Sequence, residues 1–474
     1  MKTLEQIIHA SEYFFGAYSI IYILIYTILA VFSFKQIKKY YDSKNFLHND
    51  VLIRSNDTIG VSIVAPAFNE GVTIVYNVKS LLLQEYPKYE IIIVNDGSTD
   101  DTLEKLIQEF DLIKVDFFYI EKIVTQPVKG HYKSTNPIYN KLLVVDKENG
   151  KSKADGSNAG INSAKYPLFI CTDVDCILRK DTVAVLVKPF IESTTKVIAA
   201  GAAIRIANSC TFKEGMLDES HYPTNFFARF QELEYIRSFL FGRMAWSKIN
   251  GLLLVSGGLG IFDKETVIAV GGYWHKSLGE DLELITRMRK YMHEKKKEFI
   301  ITYVPESLCW TEVPSTKEIF LRQRVRWARG LVQTLHLHRN VILNPKYKRT
   351  GLVAFPYYIA CEFAVPILEV IGIIFIILNI LFFGINYPFL IAISISVYLF
   401  YVLITLISVS LDQKVHKQYS SIKEILTLIL MIFIEPIVYH PLNVYASIKG
   451  YYHFLMNTEK KWGTMIRTGF NKKE

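Results

Sequence analysis

The sequence predicts an α/β domain joined to an α-helical transmembrane region, and three observations lead to that class. Half of the 474 residues are hydrophobic and the mean hydropathy is positive, +0.21, a balance that leans toward membrane proteins. The apolar residues are concentrated in long uncharged runs near the N-terminus and beyond Phe363. Between them, from about Val51 to Thr350, short β-branched runs alternate with helical stretches, the pattern of an α/β domain.

The run from Tyr13 to Phe34 is long enough, at about 1.5 Å per residue, to cross a hydrocarbon core of roughly 30 Å. A cleaved signal peptide would have a shorter apolar core and a small-residue cleavage site. Here the run ends in Phe34-Lys-Gln-Ile-Lys-Lys39, so an anchor is expected. Lys35, Lys38 and Lys39 follow the span, and the positive-inside rule then keeps the next domain in the cytoplasm. In that domain, Val61 to Ala65 and Glu90 to Val94 have the mostly apolar character of buried parallel strands. Gly71 to Leu83 suits the crossover helix between them, giving a βαβ unit.

Phe363 to Phe383 and Phe389 to Leu411 are two further spans, separated by the uncharged turn Gly384 to Pro388. Lys414, His416, Lys417 and Lys423 return the chain to the cytoplasm. The last apolar segment, Ile425 to Leu455, contains Glu435-Pro436 and His440-Pro441 and has basic residues on both flanks. A broken or hairpin segment is therefore expected there. The resulting organisation is an anchor over 1–50, a cytoplasmic domain over 51–320, interfacial helices over 321–360, membrane helices over 361–456 and a cytoplasmic tail over 457–474.

Five scattered cysteines with no CxxC pair argue against a disulfide framework or zinc site. Much of the net charge of +9 lies beside hydrophobic segments, where membrane topology accounts for it without nucleic acid.

Four motifs carry chemistry. Glu90 to Asp100 is a strand running into the polar turn Asn95-Asp-Gly-Ser-Thr-Asp100, and Asp96 stands at the carboxyl end of that strand, where open α/β sheets bind ligands. The same turn is also a helix N-cap, a role that suits Ser98, Thr99 and Asp100. Asp173 and Asp175 end a second strand; they suit a hard divalent cation, Mg²⁺ or Mn²⁺, or else a solvated loop. Residues so close are poorly placed to flank a sugar bond as hydrolase carboxylates do. Glu280 and Asp281, after a glycine-rich stretch that lacks a GxGxxG pattern and suits close packing against a ligand or chain, are either dipole-complementing residues at a helix start or a general base. Leu321 to Gly330 spreads Arg322, Arg324, Arg326 and Arg329 over several helix faces. Those arginines suit phosphate oxygens, with Trp327 for a sugar ring, or a basic helix on lipid.

In this order, DGSTD, Lys153-Ala-Asp-Gly-Ser-Asn158, Asp-Val-Asp175, Gly-Glu-Asp281 and Gln323-Arg-Val-Arg-Trp327 resemble the membrane-bound processive branch of family-2 glycosyltransferases, the cellulose, chitin, hyaluronan and poly-N-acetylglucosamine synthases. The resemblance runs from about Val61 to Phe470, and QxxRW marks the chain-elongating members. It implies a GT-A nucleotide-binding fold and a UDP-sugar donor. Asp96, Ala65, Glu70, Lys153 and Asp173 would contact that donor, and Asp173 and Asp175 the metal. Asp281 would be the base, beside Glu280. Gln323, Arg324, Arg326 and Trp327 would hold pyrophosphate and acceptor, with Trp462 in a Trp-Gly-Thr motif similar to that of hyaluronan synthases.

Asn95 departs from the family, standing where many relatives have an aspartate. One N-terminal span is evident where several relatives have two, and no cyclic-dinucleotide-binding domain follows, so regulation of the bacterial cellulose synthase kind is not expected. Tyr132 to Gly150 and the KADGSN run look most like the poly-N-acetylglucosamine type. The expectation is thus a multi-pass enzyme of the cell membrane that polymerises UDP-N-acetylglucosamine onto a growing polysaccharide and translocates the product. Its rivals are a transferase adding one sugar to a lipid, a synthase using another UDP-sugar, and a nucleotide-binding transporter or scaffold without turnover.

Overall fold

The computed structural model describes residues 2–43, 52–53, 55, 57–382, 386–419 and 421–458. The turn expected at Gly384 and the tail with Trp462 lie wholly or partly outside them.

A ten-stranded mixed sheet organises the central domain. Its strands are β1 (Val61–Ala67), β2 (Tyr89–Asp96), β3 (Leu112–Val115), β4 (Val128–Ser134), β5 (Leu142–Lys147), β6 (Leu168–Thr172), β7 (Ile177–Leu178), β8 (Val197–Ile206), β11 (Leu259–Asp263) and β12 (Ile300–Thr311); β9 (Thr211–Lys213) and β10 (Met216–Glu219) form a separate ribbon. The order across the sheet is β3-β4-β5-β2-β1-β6-β11-β8-β12-β7. β1 runs parallel to both β2 and β6, with Val61 opposite Tyr89 and Leu168, so these strands end at one edge. Ile63, Val64 and Ile91 to Val94 are buried on both faces, which is what an apolar run without alternation needs.

The crossover helix α2 (Ile74–Leu82) joins β1 to β2, α3 (Thr102–Glu109) follows the polar turn, and α4 (Lys153–Ser163) lies on β1 and β2. A Cβ on Gly160 would come 2.3 Å from Val64 Cγ1, and one on Gly156 3.0 Å from Pro66 Cβ. These two glycines let α4 lie against the sheet and bring Lys153, at its first turn, to the strand ends.

Among the described residues, four helices are long and apolar enough to cross a membrane: Ala10–Asp42 within α1 (Lys2–Ser43), Thr350–Phe382, Tyr387–His416 and Ile422–Leu455. Two helices of the central region connect them to the sheet, α5 (Phe226–Ile236) and α7 (Lys317–Leu337), with α6 (Glu280–Glu294) between them in the chain. A second core unites α5 and α7 with α9 (Tyr387–His416) and α10 (Ile422–Leu455) through Phe230, Leu233, Phe320, Val402, Ile432 and Tyr439. Buried ion pairs tie the same elements: Arg205 of β8 reaches Glu232 at 3.2 Å and Asp412 of α9, and Arg237 pairs with Glu435 of α10 at 2.8 Å.

The expected break in the last apolar segment is not present. Ile422–Leu455 is one continuous helix with Pro436 and Pro441 inside it. Side chains around the prolines are held laterally, Glu435 by Arg237 and His440 by Glu369 of α8 (Ala364–Phe382) at 2.9 Å. These contacts fix the residue before each proline against a neighbouring segment. Both ends of α10 touch the central domain. Glu424 accepts a hydrogen bond from the Tyr222 N–H at 3.1 Å, and a Cβ on Gly450 would lie 2.7 Å from the Val325 carbonyl of α7.

Candidate functional site

The site forms at the edge where β1, β2 and β6 end. Beyond β1 and β2, two turns are stapled together: Asn69 N–H donates to Ser98 Oγ at 3.0 Å, Gly71 N–H to Asp100 at 3.0 Å, and Thr99 N–H to Asn69 Oδ1 at 2.8 Å. Ser98, Thr99 and Asp100 therefore hold the turn, as expected. Glu70 sits in the facing turn, its backbone N–H bonded to Thr102 Oγ1 at 2.9 Å. Ala65 is fully buried within β1, two residues short of the strand end.

Asp96 ends β2 and accepts from the Lys147 ammonium at 2.6 Å and from Gly150 N–H at 3.1 Å. Burial raises its pKa, and Lys147 only partly opposes that. Lys147 is itself wholly buried and bridges Asp96 to Asp155 at 2.5 Å. Asn95 donates its amide to the Asp146 carboxylate of the neighbouring strand at 2.7 Å.

β6 stops at Thr172, and Asp173 to Cys176 make a turn closed by Cys176 N–H to the Asp173 carbonyl at 3.0 Å. The carboxylates thus meet through a turn rather than along an extended strand. Oxygens of Asp173 and Asp175 and the sulfur of Cys176 all lie within 4.8 Å of one another. The countercharge between such carboxylates comes from α4: Lys153 forms an ion pair with Asp173. The Lys153 pKa is raised despite burial, because Asp173, Cys171 and Glu280 surround it. The two carboxylates fit a hard divalent cation, with the buried thiol at one side.

The Gly257-Gly258 pair joins this cluster to the GED residues. Lys153 donates to the Gly257 carbonyl at 2.7 Å, and Gly257 N–H donates to Asp281 at 3.2 Å. A Cβ on Gly257 would lie 3.3 Å from Lys153 Nζ, 3.7 Å from Asp281 Oδ2 and 3.8 Å from Glu280 Oε1. One on Gly258 would lie 3.7 Å from both Asp173 Oδ2 and Cys176 Sγ. Side chains at 257 and 258 would fill the space on which these groups converge.

Glu280 and Asp281 open α6, as expected. Burial, and then the Asp281 charge, push the Glu280 carboxyl up to about 7, against the opposing pull of Arg326 and Lys153. Helix α7 meets the same loop: a Cβ on Gly330 would lie 2.7 Å from Gly279 N, and Arg326 donates to the Leu278 carbonyl at 3.3 Å. The arginines do point to different faces. Arg322 is exposed, Arg324 turns inward to Glu234 at 2.8 Å and Tyr439 at 3.1 Å, and Arg329 reaches the Thr458 carbonyl at 2.6 Å. The Arg324 guanidinium covers one face of Trp327, 4.1 Å from its ring, while Trp327 remains 38% exposed. Gln323 is half-buried beside them.

Two family models match this chain: glycosyl transferase family 2 over residues 62–250 and glycosyl transferase family group 2 over 208–410. Together they cover residues 62–410, and the chain is a glycosyltransferase carrying family-2 domains. It is 28% identical over 272 residues to a poly-beta-1,6-N-acetyl-D-glucosamine synthase of Staphylococcus epidermidis, covering 57% of this chain and 54% of that one. To the Staphylococcus aureus (strain COL) protein of that name it is 25% identical over 308 residues, 65% and 61% of the two chains. The chain thus spans just over half the length of the first of these curated relatives. A mannosyltransferase from Pyrobaculum calidifontis, solved with GDP-Man and Mn2+, aligns with 91% of this glycosyltransferase and all of its own chain, at TM-score 0.50 and 16% identity. That likeness establishes the GT-A fold.

Sequence reasoning did not single out Lys147 or the Gly257-Gly258 pair as parts of the site. Lys147 closes an apolar strand run, Leu-Leu-Val-Val-Asp-Lys, at the same sheet edge as Asp96; that position was the available signal. The partners of Arg324, Glu234 and Tyr439, are 90 and 115 residues away in the chain and carried no local signal.

Proposed function

We propose that this glycosyltransferase is processive and inverting, polymerises UDP-N-acetylglucosamine into a β-linked polysaccharide on the cytoplasmic side, and passes the chain through its membrane helices. The observation that carries the reading is the convergence of Lys153, Asp173, Glu280 and Asp281 on Gly257-Gly258 beneath the arginine-tryptophan helix. The names of the relatives and the order of the motifs support the donor and the product.

In this reading Asp96, Glu70 and the strand end after Ala65 receive the nucleoside, and Lys153 and Asp173 the diphosphate. Asp173 and Asp175 would hold Mg²⁺ or Mn²⁺, which would supply positive charge against the diphosphate of UDP. Asp281 takes the proton from the acceptor hydroxyl, a function that contributes about 10² to 10⁴ in rate. Protonated Glu280 lessens repulsion on Asp281 near neutral pH. Arg326 and Gln323 bind anionic or hydroxyl oxygens, Trp327 stacks on the acceptor sugar, and Arg324 sets the tryptophan plane. Trp462, the remaining residue of the motif set, lies outside the described residues.

Attack from the face opposite UDP converts an α-linked donor into a β-linked product. With both ends of α10 against the central domain, that helix lies along the cytoplasmic membrane face, and α1, α8 and α9 cross.

The test is mass analysis of the product made by membranes given single UDP-sugars with Mg²⁺ or Mn²⁺. A polymer from UDP-N-acetylglucosamine is expected. A single-residue glycolipid would refute polymerisation, and UDP release with UDP-glucose alone would refute the donor. Asp281→Asn should abolish turnover while UDP binding persists; an active variant would overturn the base.

A further inference from the structure

At the opposite end of α6 from Glu280, roughly 20 Å along the helix, lies a second, basic cleft with a cavity volume of about 390 Å³. Arg289, His293, Lys297, Glu298, Lys348 and Arg349 line it. Four cations therefore face one carboxylate. None of these residues belongs to the donor edge, and the glycosyltransferase chemistry above makes no use of them.

Arg289 decides what the cleft is suited to bind. Its side chain is 1% exposed, yet all its hydrogen bonds go to neutral oxygens: Thr350 Oγ1 at 2.9 Å, Asn250 Oδ1 and the Leu252 carbonyl at 3.4 Å, and the Asn250 carbonyl. Those bonds hold the guanidinium in place without neutralising it. A buried cation left this way is costly unless an anion completes it. Burial and then Arg349 push its pKa down to about 9, so it still carries its charge at neutral pH. Burial holds His293 down to about 4, so the imidazole enters the cleft neutral.

Position narrows the ligand. Lys348 and Arg349 immediately precede Thr350, where the apolar Thr350–Phe382 helix begins, so the cleft lies beside the first residues of a candidate membrane span. Lys348 sits at φ 45°, a left-handed conformation that costs a non-glycine residue energy.

We infer that this cleft binds a phosphate group, with Arg289 as its buried anchor and Lys297, Lys348 and Arg349 as its rim. An anionic phospholipid headgroup, whose phosphate no choline cation neutralises, and a soluble phosphate offer the same oxygens, and arginine forks and lysine ammonium groups match both.

The experiment uses the full chain. In neutral detergent, melting is followed against inorganic phosphate, with chloride at the same ionic strength and pH as the control salt. In nanodiscs, phosphatidylcholine alone is compared with phosphatidylcholine containing phosphatidylglycerol. The Lys297→Gln/Lys348→Gln double variant is run beside the wild type and a Lys346→Gln control, whose lysine lies outside the lining, 4.0 Å from Glu294.

At least one anion should raise the wild-type melting temperature, and the double variant should need about tenfold more of it for half the shift, as expected if the two contacts together contribute about 1.4 kcal/mol. A response to phosphate identifies a soluble ligand, and one confined to phosphatidylglycerol a lipid. Two results overturn the inference: melting in phosphate and in phosphatidylglycerol no higher than in chloride and in phosphatidylcholine alone, or a double variant that responds like the wild type and Lys346→Gln.

Discussion

Gly330→Ala tests whether the QxxRW helix positions the reacting groups by direct backbone contact. The new Cβ would lie 2.7 Å from Gly279 N, 2.9 Å from Gly279 Cα and 3.0 Å from the Leu278 carbonyl carbon. These are backbone atoms, so no rotamer change relieves the clash. Reaching an ordinary contact of 3.4 Å requires α7 and the loop to separate by at least about 0.7 Å. That loop runs directly into Glu280 and Asp281. A misplacement near 1 Å can cost on the order of 10² in rate, so kcat/KM should fall about 10- to 100-fold. Stability should fall by no more than about 2 kcal/mol, because alanine gains about 1 kcal/mol of helix propensity against an overpacking cost of about 1–3 kcal/mol. UDP affinity should hold, because Asp96 and Asp173 lie on other elements. The assay pairs UDP-release kinetics with thermal melting and UDP titration. Gly372→Ala serves as control, since its Cβ would meet only the Phe15 ring, 3.5 Å away. A Gly330→Ala enzyme at wild-type rate would refute the positioning argument.

Three other perturbations address the donor edge. The Glu280 carboxyl is raised from 4.5 to about 7, so the folded state keeps a proton that the unfolded chain releases, and this group's contribution to stability declines as pH rises between those values. Glu280→Gln should remove that slope and melt higher above pH 7, by at most about 3 kcal/mol; an unchanged pH–melting curve would contradict the burial argument. Lys147→Met strands the buried carboxylates of Asp96 and Asp155 and should cost about 3–5 kcal/mol and weaken UDP binding by calorimetry; wild-type melting and binding would rule out the bridge. Asp175→Ala should abolish Mn²⁺ binding measured by paramagnetic resonance, whereas Cys176→Ser should preserve it; the reverse pattern would make the thiol the ligand.

Much of this architecture was legible because buried parallel strands leave near-continuous apolar runs. Val61 to Ala65 and Glu90 to Val94 read as strands and fold as β1 and β2. The positions of the candidate site groups were legible for a related reason: Asp96 ends a strand, Asp173 follows one and Asp281 stands at a helix start. Contacts made far along the chain were not legible. The glycine pair at 257 and 258 read as close packing against a ligand or chain, but nothing local said that Lys153 and Asp281 would bracket it. Likewise Glu435-Pro436 and His440-Pro441 read as interruptions, because a proline's lost hydrogen bond is visible in the sequence whereas Arg237 and Glu369, which hold the adjacent side chains, are not.

These unseen contacts explain why the motifs occur together. Gly330 seats α7 on the loop carrying Glu280 and Asp281, and Gly450 seats α10 on the opposite side of α7 at Val325 and Ala328. Between the two glycine contacts stand Arg326, facing the loop, and Arg324, facing Tyr439 of α10. A movement of α10 along α7 cannot leave Arg324 and Trp327 where they are, since the guanidinium bonded to Tyr439 also covers the indole. The QxxRW helix is therefore the rigid member through which the apolar helices and the carboxylates at the donor edge share one geometry.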